Sequence, residues 1–286
     1  MSISNSTTLN DLIGTIVSAD AQSAAYGARV MRPLIRSVQI PAGAGSITVP
    51  KFQSLAVAGL TEGTAPSSTA WSTDGVLITP VERGVYVEVS KRALYADPFS
   101  DLAPYGEQMG RALGIDEDAQ ILAQVSGFAS AFASGVFEAN PETTLLSAIG
   151  TLEASGVPGP YFGVFHPTAW SAVRAKLADA ATYSQTGATI VDGFGKGLTN
   201  MNGYVGSPFG IPCFISTQVA TTAASAGYYC NGIFGQEAIG YGYIQDITID
   251  VFDNKVGRKF DLMGWYAGKA ETLVSAYGVG IRSVRV

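Results

Sequence analysis

Between 37–52, which reads as two short strands around Pro41-Ala42-Gly43-Ala44-Gly45, and a returning strand segment over 76–90, the chain passes through Leu55 to Gly75, a stretch rich in Gly, Ser, Thr and Ala that also holds Glu62, Pro66 and Trp71. Its apolar content is too low for a core of its own, and a connection of this length needs a function or a partner to justify it. On the return, Val85, Val87 and Val89 alternate with Tyr86, Glu88 and Ser90. That period of two marks a strand with two different faces. On the outgoing side, β-branched Ile47 and Val49 share one face. Two strands flanking a polar excursion make a long protruding hairpin.

The charge content points the same way. The 286 residues carry 17 basic and 23 acidic side chains, 14% in all, for a net charge of -6. A free monomer usually keeps about a quarter to a third of its surface charged. Interfaces, by contrast, are depleted in charge and enriched in Tyr, Phe, Trp, Met and Arg. Tyr and Phe occur 13 times each here, and Arg outnumbers Lys. Assembly is therefore the leading expectation, over a β-rich secreted protein that relies on Ser, Thr and Asn for solubility. Neither end carries a basic run, so nonspecific nucleic-acid binding lacks its electrostatic signature. The N-terminus shows no compact apolar core preceded by positive charge and does not read as a secretory signal. The longest apolar-leaning uncharged stretch, Ala119 to Phe137, is too rich in Gln, Ser and Gly for a membrane span.

At about 150 residues per domain the length suggests two domains, and the pattern of elements is α+β. Leu9, Leu12, Ile13, Ile16 and Val17 follow helical spacing in a segment that Pro33 is expected to end. After a short helical turn at Lys91 to Tyr95 and a break at Asp97-Pro98, the strongest helix runs from Asp101 to about Val125. Its apolar set is Leu102, Tyr105, Met109, Leu113, Ile121, Leu122 and Val125. Gly106, Gly110 and Gly114 recur along one stripe of this helix, each costing about 1 kcal/mol relative to Ala. The stripe predicts that another backbone or a bulky side chain packs close there. Helices are predicted over 143–154 and 166–177, and strands over 161–165, 211–216, 227–234, 247–252 and 273–286, with 182–210 mostly loop.

The residues that carry chemistry in enzymes are sparse. His166 is the only histidine, and no G-x-S-x-G accompanies it; a capping or packing role is expected. Cys213 and Cys230 lie in apolar surroundings that favour inert thiols. The Gly193, Gly195, Lys196, Gly197 cluster has Ile at position 190 and Gly at 197, so it fails the phosphate-loop pattern. Asp116, Glu117 and Asp118 are consecutive and point in different directions around a helix. Asp246, Asp250 and Asp253 flank a strand, where a cation between subunits is the alternative to a salt-bridged face. No catalytic, cofactor or metal site is assigned.

The order of parts resembles the major capsid protein of tailed bacteriophages with the Hong Kong 97 fold. The resemblance rests on Ile47-Thr48-Val49-Pro50-Lys51-Phe52, on Glu62-Gly63-Thr64-Ala65-Pro66, and on Val85 to Ser90 with Leu94 and Asp97. It continues through the helix ending Asp116 to Gln124, Phe165-His166-Pro167-Thr168-Ala169-Trp170, and Phe209-Gly210-Ile211-Pro212. It implies an N-terminal arm over 1–45, an extended loop lying over a neighbour over 46–90, and a peripheral domain with a spine helix over 91–145. An axial domain over 146–245 and a return to the peripheral domain over 246–286 complete it.

The function implied is self-assembly into hexamers and pentamers of an icosahedral head around double-stranded DNA, held without sequence-specific binding, with no enzymatic activity, cofactor or membrane. Portal, scaffolding and decoration proteins are the expected partners, and the virion, assembled in the host bacterial cytoplasm, is the expected location. An encapsulin-like compartment shell is the alternative within the fold. Intersubunit contacts are expected at Glu62, Trp71 and Arg83 and along the Gly106, Gly110, Gly114 stripe. Some relatives crosslink through a lysine in the extended loop; here Lys51 stands at its base and none follows until Lys91, so crosslinking is not expected.

Overall fold

The computed structural model describes residues 6–41, 43–52, 73–96, 102–133, 135–177, 203–222 and 227–284. In chain order the elements are α1 (Ser6–Ala28), β1 (Arg36–Gln39), β2 (Ile47–Phe52), β3 (Thr73–Ile78), β4 (Val81–Ser90), α2 (Lys91–Ala96) and α3 (Ala103–Ala123). Then come β5 (Ser130–Phe132), α4 (Val136–Ala139), α5 (Pro141–Ala154), β6 (Tyr161–Phe165), α6 (Pro167–Leu177), β7 (Tyr204–Gly206), β8 (Cys213–Ile215) and β9 (Thr221–Thr222). Strands β10 (Tyr228–Gly235), β11 (Ile239–Asn254), β12 (Lys259–Thr272) and β13 (Gly278–Val284) close the chain.

They form three sheets. One has four strands in the order β1-β11-β12-β4; a second runs β5-β13-β10-β6-β8-β7, with β9 also paired to β10; the third is β2 against β3 alone. The two strands expected around Pro41 to Gly45 therefore part company. β1 joins β11 in parallel, whereas β2 pairs with β3, Ile47 opposite Ile78 and Phe52 opposite Thr73. The expected return strand is likewise divided at Thr79-Pro80 into β3 and β4. Proline cannot donate a ladder hydrogen bond, so the change of sheet falls there.

Burial follows the pleat. In the second sheet Val164, Phe214 and Phe234 enter one core cluster, while Phe165, Cys213 and Ile233, their neighbours in sequence, enter another. Alternate side chains of β6, β8 and β10 thus feed two cores, so these strands are buried on both faces and read as continuous apolar runs. The first core joins them to Ile121 and Leu122 at the end of α3 and to Val125 just beyond it; the second lies under α5 and α6 and holds Leu145, Leu152 and Trp170. In the four-stranded sheet one face packs Val89, Ile249 and Leu262 against Val17, Ala21 and Met109 of α1 and α3. The opposite face carries the exposed Tyr86, Phe252 and Met263 toward the β4 side, and at its other end Ile78 and Leu273 cover Gly242 and Gly240.

Two sequence expectations are corrected. The segment expected to be helical up to Pro33 leaves α1 at Ala28, because the Asp118 carboxylate accepts the backbone N–H groups of Val30 at 2.7 Å and Met31 at 3.1 Å. Those amides are the ones that would have continued the helix. Strand β12, fourteen residues long and paired along its length to β11 and β4, was not anticipated. Its period of two is interrupted by Gly264 and Gly268. A Cβ on Gly264 would stand 3.0 Å from Leu113 of α3, and one on Gly268 would lie within 2.6 Å of the Tyr241 ring. Close approach by a helix and by an aromatic ring sets these glycines, not a break in the strand.

Candidate functional site

Helices α1 and α3 lie in contact along the glycine stripe. Val17, Ala21 and Ala25 of α1 face Gly106, Gly110 and Gly114 of α3, all buried. A Cβ on Gly106 would be 2.6 Å from Val17, one on Gly114 would be 2.9 Å from the Ala25 carbonyl oxygen, and one on Gly110 would fall on the Ala21 carbonyl oxygen. The close backbone approach is therefore real, but its partner is α1 of the same chain. Among the described residues the three glycines are buried against α1.

One end of this seam is fixed by charge. Arg29 Nε lies 2.6 Å from Glu117 and its Nη2 2.6 Å from Asp246; Arg32 is 3.4 Å from Glu117 and 2.9 Å from Asp246. The Arg29 and Glu117 side chains are 4% and 1% exposed, Asp246 36%. The two carboxylates share their cations yet shift in opposite directions. Burial pushes Glu117 up despite Arg29 and Arg32; at half-exposed Asp246 burial is again the largest single influence, but the Arg29 hydrogen bond, the charges of Arg29 and Arg32 and the Ile247 amide together outweigh it and the pKa falls. Asp118, also buried, is pushed up to about 7 by desolvation even though two backbone amides favour its charged form. The guanidinium of Arg32 sits 4.3 Å over the Tyr243 ring, a cation–π contact.

The consecutive acids of α3 thus serve three separate purposes, as their angular spacing predicts. Asp116 faces outward, 2.9 Å from Arg83 of β4, and accepts the Tyr266 hydroxyl at 2.6 Å. Of the expected contact residues, Arg83 is half-exposed on an edge strand; Glu62 and Trp71 lie outside the described residues, as does the Gly193 to Gly197 cluster. Asp253 pairs with Lys91 at 2.6 Å and Asp250 accepts the Trp265 indole N–H at 3.4 Å. With Asp246 held by arginines, the three acids do not converge, and no group that would hold a metal forms among the described residues.

His166 stands at the start of α6. Its Nδ1 contacts the Thr168 hydroxyl at 2.5 Å and accepts the Thr168 N–H at 3.3 Å, its own N–H donates to Asn231 at 2.7 Å, and its ring stacks on Tyr229 at 3.6 Å. This is a helix cap with a packed ring, and burial lowers the imidazole pKa. His166→Ala is expected to cost about 1 kcal/mol, the usual worth of a cap, with particle yield unchanged. Thermal melts and sedimentation of the variant check it. Cys213 and Cys230 are buried, and desolvation raises the Cys213 thiol, as expected for inert thiols.

What the described surface offers is open edges and exposed apolar side chains. The solvent face of the four-stranded sheet carries Tyr86, Met263 and Phe252, 56%, 46% and 55% exposed. Met263 is opposite both Tyr86 and Asp250 in the ladders. Around them Tyr86 donates to Glu88 at 2.7 Å, a bond that pushes its hydroxyl up to about 12, and Lys259 bridges Glu88 at 2.5 Å. Leu77 of the isolated hairpin is 58% exposed. The described residues thus present surfaces for association.

A family model described as phage capsid protein matches residues 72–270. The chain belongs to the phage capsid protein family. No curated protein matches the sequence. The fold is shared with the capsid structure of the cyanophage P-SCSP1u at 14% identity and TM-score 0.67, covering 88% of this chain and 87% of that one. It is shared also with the mature capsid of bacteriophage PhiM1, at 12% identity and TM-score 0.63 over 90% and 88%. A virus-like particle from Pyrococcus furiosus gives 12% identity and TM-score 0.60 over 93% and 97%. The capsid protein is thus structural and not an enzyme, a component of the virion shell that assembles with copies of itself. Its α+β fold of the Hong Kong 97 type is as the sequence order implied.

Sequence reading missed the ionic cluster that ties α1 to α3 and β11. Its signal was present: Arg29 and Arg32 follow an apolar helical segment, and three acids interrupt the strongest helix. Only the fold brings residues 29, 117 and 246 together.

Proposed function

We propose that this capsid protein forms hexameric and pentameric capsomers of an icosahedral head enclosing double-stranded DNA, assembled in the host bacterial cytoplasm. In this reading 1–45 is the arm, 46–90 includes the extended loop, 91–145 holds the spine helix α3, 146–245 is the axial domain and 246–286 the return. The observation that carries it is the pairing of β2 with β3 alone. A lone two-stranded hairpin is marginal in water, and among the described residues it is anchored by Val49 and Ile78 against Leu273. A neighbouring subunit beneath the rest supplies the missing support. The net charge of -6 suits a shell that contains DNA without gripping it, with portal, scaffold and decoration proteins as further partners.

Deleting 55–75 is expected to leave a folded chain, by circular dichroism and a cooperative melt, that forms no closed shells in negative-stain images. Closed shells from the deletion would remove the extended loop from assembly. An encapsulin-like compartment shell remains the second reading, since the fold also builds a virus-like particle. Co-purification of a portal rather than a cargo enzyme separates the two.

A further inference from the structure

The turn joining β11 to β12 is the most exposed apolar point of the described chain. Val256 is 99% exposed. Lys255 and Arg258 flank it, and neither forms an ion pair among the described residues. The turn is nonetheless built. The Gly257 N–H donates to Asn254 at 2.9 Å, the Arg258 carbonyl accepts the Lys91 N–H at 2.9 Å, and Arg258 itself is held at φ 49°. A residue in the left-handed region closes many short hairpin loops, and here it holds the turn in one conformation. Val256 thus stands between two cations on a hydrogen-bonded turn that projects into solvent.

The complementary hole lies on the same molecule. A groove of about 320 Å³ runs between α1 and α3, floored by Ala24, Ala103 and Pro104 and rimmed by Asp20, Ser23 and Glu107. Among the described residues Asp20 forms no ion pair, and Glu107 pairs with the exposed Arg111 one turn away at 3.4 Å. Groove and turn share one end of the sheet: Lys259 is opposite Ser90, and Leu102, beside Ala103, packs in the same cluster as Val89, Leu262 and Phe260. The turn does not line its own groove.

We propose that the 255–258 turn of one copy seats in the α1–α3 groove of a second copy, Val256 on the alanine and proline floor, with Lys255 and Arg258 against Asp20 and Glu107. This rests on the assembly reading above. Knob and hole at one pole let copies close around a symmetry axis there, each turn entering the next copy's groove. Opposite charges set the register and speed the encounter.

The test is a charge swap in the full chain expressed alone in bacteria. Lys255→Glu with Arg258→Asp, and separately Asp20→Lys with Glu107→Lys, are each expected to cut closed shells by about tenfold or more, since like charges then meet across the contact. Combining the four substitutions is expected to restore them. Normal shells from either reversal, whether or not it changes retention of double-stranded DNA, overturn the contact, as does failure of the combination when circular dichroism shows all variants folded. A second readout needs only capsomers: Val256→Cys with Ala24→Cys should form an intermolecular disulfide under mild oxidation, the native thiols being buried. A crosslink in a chain that makes no shells supports the contact and overturns shell formation by this chain on its own; shells without the crosslink overturn the contact alone.

Discussion

Gly110→Ala is expected to lower stability by about 2–3 kcal/mol, although alanine is the better helix former by about 1 kcal/mol. Gly110 sits mid-way along α3, where the added methyl would fall on the Ala21 carbonyl oxygen. The obstructing atom is backbone, so no side chain can rotate aside; α1 must lift as a unit. Lifting it also opens the contacts at Gly106 and Gly114 and pulls on Arg29, so the cost exceeds that of a single overpacked methyl. Gly150 supplies the control. It lies in α5 with nothing within 4 Å of an added Cβ, and Gly150→Ala should therefore stabilise by about 0.5–1 kcal/mol. Urea titration of the two variants gives opposite signs if the seam is as tight as described; Gly110→Ala at wild-type stability would show that α1 does not dock there. Earlier tryptic cleavage after Arg29 in Gly110→Ala would locate the damage at α1, and Gly110→Leu is expected to give no folded particles.

What the sequence disclosed and what it withheld divide along physical lines. Helix α3 and strand β6 were legible almost to the residue, because α3 carries a long apolar set and β6 is a short apolar run bounded by Pro160 and Pro167. The same is true of Val85, Val87 and Val89, whose alternation survives because one face of β4 packs on the helices and the other meets solvent. Strand β12 was hidden because its glycines answer to Leu113 and Tyr241, residues remote in sequence. The end of α1 was hidden for a similar reason: Pro33 is a visible breaker, but the Asp118 carboxylate acts first and comes from 87 residues away. The glycine stripe announced a close approach without saying whose. Periodicity reports which face is covered, and only tertiary structure reports whether the cover is the same chain or another.

Arg29→Met is expected to cost about 3–5 kcal/mol, and to lower the melting temperature by about 10 °C, because it leaves a buried carboxylate without its nearest cation. Glu117 is 1% exposed, and its remaining cation, Arg32, lies 3.4 Å away and is shared with Asp246. The loss should depend on pH in the sense opposite to an ordinary surface acid. Burial already raises Glu117 in the wild type, and removing Arg29 takes away the largest influence opposing it. A carboxyl whose folded pKa lies above its unfolded value binds more protons in the folded state, so its penalty is full at high pH and relieved as pH falls through the folded pKa. Asp118, pushed up to about 7 next door, adds to the same trend in both proteins. Melting curves of the variant should therefore approach those of the wild type as pH is lowered from 8 to about 5; a deficit that is constant or grows on acidification would mean that Glu117 is not the stranded charge. Adding Glu117→Leu to Arg29→Met removes that charge, and the Arg32–Asp246 pair at 2.9 Å can still balance itself. The double variant should recover most of the lost stability, since apolar pairs of similar volume replace buried ion pairs at little cost.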